Sequence, residues 1–349
     1  MSDFTALPDL ASRELSGSVM AANDELFAER ENLIRPEPPT FSIHEFGHKG
    51  KVYDGWETRR RREPGHDWAI VRLGAAGVVH GVVVDTAYFK GNYPPAISVE
   101  ATSMEGYPSL PELKHADWLT IVGRSAAKGD TANAYEVSDR RRWTHLRLSI
   151  YPDGGVARFR VHGEVLPDPR FMEGTIDLAA LENGGQLVAC SDAFYSSPAN
   201  LIKPGKARTM GEGWENARRR DEGNDFATFQ LAGAGRLRLV EIDTSYFVGN
   251  APGWVKLTAG SSAGAAGSWW EVVPRTPVLP DTRHRYVVAE DQIASQVRLD
   301  VYPDGGLARL RVYGDLTDTA LADLRRRWWN ALPQGHRAAI PDLAVWGDS

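Results

Sequence analysis

Leu146-Arg147-Leu148-Ser149-Ile150 runs into Tyr151-Pro152-Asp153-Gly154-Gly155 and then into the apolar stretch 156–161, and this passage decides the fold. The first five residues alternate apolar and polar, which places Leu146, Leu148 and Ile150 on one face of a strand. Proline presets φ, aspartate bonds to its own backbone and glycine accepts positive φ, so Pro-Asp-Gly spells a turn. The segment therefore reads as a β-hairpin returning through 156–161. The same hairpin is written again in 297–301, Tyr302-Pro303-Asp304-Gly305-Gly306 and 307–312. Residues 68–73 and 78–84 read as another strand pair. Short strands between Gly- and Pro-bearing turns point to β-sandwiches.

The repetition extends over most of the chain. Gly55-Trp56-Glu57, Arg60-Arg61-Arg62, Gly65 and Asp67 return as Gly213-Trp214-Glu215, Arg218-Arg219-Arg220, Gly223 and Asp225. Asp85-Thr86-Ala87-Tyr88-Phe89 with Gly91-Asn92 returns as Asp243-Thr244-Ser245-Tyr246-Phe247 with Gly249-Asn250. The order is kept and the spacing drifts by a few residues, as loop insertions in a duplicated domain would produce. The expected organisation is a tail over 1–17, a first repeat over 18–164, a linker over 165–185, a second repeat over 186–316, and a C-terminal helix and tail over 317–349. Leu321, Leu324 and Trp328 carry the helical spacing there, with Asp318 as the expected cap.

Composition narrows the function. The 349 residues carry a formal net charge of −6, which argues against nucleic acid as a partner. The longest apolar run is interrupted at His80-Gly81, far short of the roughly 20 residues of a membrane span. A single cysteine, Cys190, makes no intramolecular disulfide, and Met1-Ser2-Asp3-Phe4 shows no signal-peptide pattern. The expectation is a cytoplasmic protein that engages neither membrane nor nucleic acid. Arginine far outnumbers lysine, and its planar fork suits carboxylates.

Two segments could carry chemistry. The loop from Tyr53 to Trp68 is dense in Arg and acid and holds one imidazole. Arg60 and Arg61 would fork a carboxylate while Glu57, His66 or Asp67 moves protons; the alternative is a salt-bridged surface loop with Trp56 and Trp68 plugging the core edge. In the second copy Glu215, Arg218, Arg219 and Asp225 stand at the matching places. Asp85 and Asn92 bracket the second segment, where Asn92 offers a ureido group both a donor and an acceptor and Asp85 could orient a cation. The alternative there is a turn held by its own Asp and Asn side chains. No local metal-ligand spacing is written, so the metal content stays open.

Asp54-Gly55-Trp56-Glu57-Thr58-Arg59-Arg60, Gly65-His66-Asp67-Trp68 and Asp85-Thr86-x-Tyr88-Phe89-x-Gly91-Asn92, written twice with variations, resemble the allantoicase family. The resemblance implies an all-β protein of two tandem jelly-roll β-sandwiches of the galactose-binding-like type, with a short C-terminal helix. It also implies hydrolysis of the carbon–nitrogen bond in allantoate, a linear amidine, to (S)-ureidoglycolate and urea in purine catabolism. A homo-oligomer, trimer or hexamer, is implied as well, and activation by a divalent metal such as Mn²⁺ is left open. Catalytic roles then fall to Glu57, His66 and Asp67, and substrate binding to Arg60, Arg61, Asp85, Asn92, Glu215, Arg218, Arg219 and Asp225. The second copy departs from the motif: Asn216, Ala217, Asn224 and Phe226 replace Thr58, Arg59, His66 and Trp68. The competing expectation is a non-catalytic carbohydrate-binding jelly roll, with Trp56 and Tyr88 as aromatic platforms.

Overall fold

Asp67–Asp85 is one continuous strand, where the sequence suggested a pair. Its first part runs antiparallel to Arg142–Tyr151, with Asp67 opposite Ile150 and Arg72 opposite His145. Its second part runs antiparallel to Arg158–Val165, with Val78 opposite Glu164 and Asp85 opposite Arg158. The register breaks between Arg72 and Gly77. A Cβ on Gly77 would stand 2.0 Å from the Glu164 carbonyl oxygen, so only glycine permits that approach. One strand thereby serves both sheets of a sandwich. Ser18–Ala22, Ala96–Thr102 and Leu119–Ala126 complete the first sheet, and Ala132–Glu136 joins the second.

This register corrects the expected hairpin. Arg142–Tyr151 and Arg158–Val165 do not pair with each other; each pairs with a different half of the long strand. Residues 152–154 instead carry the chain from one sheet to the other. Alternation says which face of a strand is buried and is silent on its neighbour. Gly155–Val156 pairs with Trp56–Glu57, and a Cβ on Gly155 would lie 2.0 Å from the Phe89 ring.

The computed structural model describes residues 4–42, 44–47, 50–261, 269–289 and 292–347. It divides into two units, one from the chain up to Leu166 and again from Trp328 onward, the other from Pro167–Arg327. Each is built around a jelly-roll sandwich. The first buries Val71, Val82, Leu146, Leu148, Ile150 and Phe159 completely, each contributing roughly 1.5–3 kcal/mol. In the second, Asp225–Asp243 repeats the shared strand, against Ile293–Tyr302 and then Arg309–Leu316. Phe229, Val240, Leu257, Leu299 and Leu310 fill that core. Thr175–Asp177, inside the expected linker, is a strand paired with Arg309–Leu316.

The C-terminal helix spans Asp318–Ala331. Its first turn hangs from Thr317, whose hydroxyl accepts from the Ala320 N–H at 3.2 Å, so Thr317 caps it in place of the expected Asp318. Trp328 is fully buried under the Arg142 guanidinium, 5.7 Å from the ring centre. Among the described residues no helix is long and apolar enough to cross a membrane.

His145 sits 1% exposed in the first sheet, directly opposite Arg72. Its Nδ1 lies 2.8 Å from the Thr144 hydroxyl, while its Nε2 is buried with no partner. Burial first, and the Arg72 charge second, push its pKa down to about 4. The unfolded chain therefore binds a proton that the folded one refuses, and stability falls as pH drops from ~6.5 towards 4, by about 3 kcal/mol at most. Denaturant unfolding across that interval should show a flatter pH slope in His145→Asn than in the wild type. An unchanged slope would mean that this imidazole is not held neutral.

Candidate active site

Trp56 fixes one end of the Arg-rich loop. Its ring is fully buried and its Nε1–H donates to the Asp24 carbonyl at 2.7 Å. That burial also removes one of the two platforms a sugar-binding reading requires. Glu57 follows on the short strand beside Gly155–Val156 and is itself buried. Its Oε1 accepts from the Asn92 Nδ2 at 2.7 Å. Burial pushes the Glu57 carboxyl above the ordinary carboxylate range, and the Asn92 bond only partly offsets it.

Asn92 is brought there by the turn after the long strand. Asp85 opens the turn by accepting from the Ala87 N–H at 2.9 Å. Thr86, fully buried, donates to the Lys128 carbonyl at 2.6 Å, and Phe89 packs inward. The Asn92 carbonyl takes the Gly155 N–H at 2.7 Å. Asp85 thus holds the turn, and Asn92 alone of the two reaches Glu57.

Arg61 is clamped three ways. Its backbone N–H donates to Asp153 Oδ2 at 2.8 Å, and its guanidinium donates to Asp67 Oδ1 at 2.6 Å. Gly65, at φ 137°, covers it so closely that a Cβ would stand 2.9 Å from the guanidinium. Asp67 has no exposed surface, and its Oδ1 also accepts from the Asn23 amide at 2.7 Å. Arg60 is exposed beside a cavity of about 390 Å³ that Asp24, Arg61 and Asp67 also line. His66 is exposed with its ring centre 4.7 Å from that of Tyr151. Among the described residues it makes no hydrogen bond to Glu57 or Asp67. The structure therefore joins Glu57 with Asn92 and Arg61 with Asp67, and places His66 beside Arg61 on a second cavity, away from Glu57.

Asp153 and Asn23 were not singled out as site residues in the sequence. Asp153 was legible only as a turn residue, although its repetition as Asp304 was a signal. The second unit keeps the scaffold: Asn250 donates to Glu215 at 2.7 Å, the Arg219 N–H to Asp304 at 2.7 Å, and the Arg219 guanidinium to Asp225 at 2.6 Å. Ser191 does for Asp225 what Asn23 does for Asp67. Glu215 is partly exposed where Glu57 is buried, and Arg218 is exposed like Arg60. Among the described residues, no three or more His, Cys, Asp or Glu side chains gather as metal ligands.

A family model described as the allantoicase repeat matches residues 8–166 and 176–317. The chain is 55% identical to a probable allantoicase of Nocardia farcinica, over 90% of this chain and 95% of that one. It is 39% identical to an allantoicase of Dictyostelium discoideum, over 89% and 88%. The crystal structure of allantoicase from Saccharomyces cerevisiae superposes with a TM-score of 0.78 at 34% identity, covering 90% of this chain and 96% of that one.

The Arg61–Asp67 pair gives a test of the clamp. Asp67→Asn keeps the shape but removes the counter-ion of a guanidinium that is only 24% exposed. It should lower unfolding free energy by roughly 2–3 kcal/mol, and adding Arg61→Ala should cost less than the sum of the two single changes. Denaturant melts of the four proteins measure this, and additive losses would show that the two groups do not support each other.

Proposed function

The chain belongs to the allantoicase family, and from that membership we propose that the first repeat carries the chemistry, with Glu57 as its proton carrier. The protein hydrolyses allantoate to ureidoglycolate and urea. The observation that carries the residue assignment is the burial of Glu57 against Asn92. Burial raises the proton affinity of this carboxyl, which favours its giving a proton as an acid and taking one back as a base.

Allantoate bears two ureido arms on the carbon that carries its carboxylate. The protonated form of Glu57 gives its proton to the departing ureido nitrogen as that nitrogen's bond to the central carbon breaks. The nitrogen of the remaining arm shares its lone pair with the carbon. Water then adds there, and the Glu57 carboxylate takes one of the water's protons, which restores the acid. Asn92 holds Glu57 and offers the ureido group an amide of matching polarity. Arg60, exposed and without an ion pair among the described residues, forks the substrate carboxylate. Arg61, held by Asp67 and Asp153, fixes the loop from which Arg60 projects. In the second repeat, Glu215, partly exposed, and Arg218, Arg219 and Asp225 keep the shape of the site.

The enzyme works in the cytoplasm as a homo-oligomer, trimer or hexamer. The location is supported by the lone Cys190 and the assembly by family resemblance, and light scattering tests the assembly.

Purified protein should release urea from allantoate and none from allantoin or arginine; no release with or without added Mn²⁺ would refute the activity. Glu57→Gln should lower kcat by ~10²-fold or more. Because the folded protein holds the Glu57 proton more tightly than the unfolded chain does, ionising this group erodes stability as pH rises above its ordinary range. Glu57→Gln should therefore melt at the same or a higher temperature than wild type at pH 7, and a large drop would make Glu57 a structural residue. Arg60→Lys keeps the charge but loses the fork, and should cost roughly 30- to 150-fold in kcat/KM. Wild-type kinetics in that variant would remove Arg60 from the site.

A further inference from the structure

A second cavity, of about 650 Å³, lies on the face of the first sheet, and the chemistry assigned to Glu57 does not use it. Arg61 and His66 form one rim. Glu100, Arg124, Arg147 and Tyr151 come from the strands beneath. Of the three guanidiniums, Arg61 is paired with Asp67 at 2.6 Å and Arg147 with Glu100 at 2.7 Å, which leaves Arg124 and the imidazole. Arg124 lies 4.3 Å over the Tyr151 ring and has no ion pair among the described residues. The Tyr151 hydroxyl is fixed 2.9 Å from the Ser98 hydroxyl, so the ring that carries Arg124 and His66 is itself held.

The matching face of the second repeat is arranged differently. There Asp300 stands opposite Phe226, at the register position that Ser149 occupies opposite Trp68. Asp300 Oδ1 accepts from the Asn224 amide at 2.9 Å and from Arg298 at 2.8 Å. Asn224 and Arg298 are the counterparts of His66 and Arg147. Arg275 lies on Tyr302 at 4.2 Å as Arg124 lies on Tyr151. The second repeat therefore supplies its own carboxylate to this group of side chains. The first repeat has Ser149 there, Arg147 turns to Glu100 instead, and among the described residues no carboxylate pairs with His66 or Arg124.

We propose that this sheet-face cavity of the first repeat binds a small organic carboxylate, which takes the place of the carboxylate that Asp300 provides in the second repeat. Arg124 and His66 hold it, with Tyr151 as their platform. Charge-assisted bonds to a guanidinium fork favour a planar carboxylate over a neutral ligand. The ligand has two sources, the substrate or product of the enzyme or a separate carboxylate effector, and both share this chemistry.

Isothermal titration with malonate tests the site without reference to turnover. Wild type should bind malonate saturably. Arg124→Gln, on an exposed side chain, should weaken binding at least tenfold, and Arg275→Gln in the second repeat should leave it unchanged. Ser149→Asp, which installs the carboxylate of the second repeat, should abolish it. Absence of saturable binding by wild type, or equal binding by Arg124→Gln, overturns the proposal. Titrating allantoate into Glu57→Gln protein, with and without Arg124→Gln, separates the sources: weakening by Arg124→Gln assigns the cavity to the substrate, and unchanged allantoate affinity beside lost malonate binding assigns it to an effector. Failure of the Glu57 reading would alter urea release and leave the malonate result as it is.

Discussion

A carboxylate with no exposed surface has to be met by a cation and by donors, and at Asp67 that demand organises the whole loop end of the first unit. Asp67 is the first residue of the strand shared by the two sheets. Arg61 and Asn23 both donate to its Oδ1, Asn23 also accepts the Trp68 N–H at 2.6 Å, and Asp153 holds the Arg61 backbone from the segment that crosses between sheets. The same crossing segment pairs with the strand that carries Glu57. A requirement of the core thus sets the geometry of the polar loop, which is how a rigid sandwich comes to hold charged residues in fixed places.

Duplication copied that frame and left its electrostatics free to diverge. Both units keep the Glu–Asn bond, the Arg–Asp pair and the aspartate that clamps the arginine backbone. They differ in burial of the glutamate and in the sheet face, where Ser149 in one unit answers Asp300 in the other. Desolvation raises the proton affinity of a carboxyl, whereas an internal carboxylate neutralises nearby guanidiniums. The repeats thus share a scaffold and differ in electrostatics at these two places.

The β class, the duplication and the loops that carry the polar residues were legible because alternation, turn residues and repetition are local properties of the chain. Pairing was not. Residues 68–73 and 78–84 read as two strands because Gly74 and Gly77 look like turn punctuation, yet they mark the close approach where one strand changes sheets. Tyr-Pro-Asp-Gly-Gly read as a hairpin for the same reason. Glu57, Arg61, Asp67 and Asn92 were visible as residue types in a suggestive pattern. That Glu57 meets Asn92, while His66 lies on Tyr151, depends on contacts between segments far apart in the chain. Asp153 and Asn23 escaped notice because aspartate in a turn and asparagine before a strand have ordinary local explanations.

Glu57 is buried and its copy Glu215 is not, and the proposed placement of the chemistry in the first repeat rests on that difference. Measuring kcat for urea release by Glu57→Gln beside Glu215→Gln, both verified as folded, tests it most directly. A loss of ~10²-fold or more is expected for Glu57→Gln and a much smaller one for Glu215→Gln. A larger loss in Glu215→Gln, or equal losses in both, would contradict it.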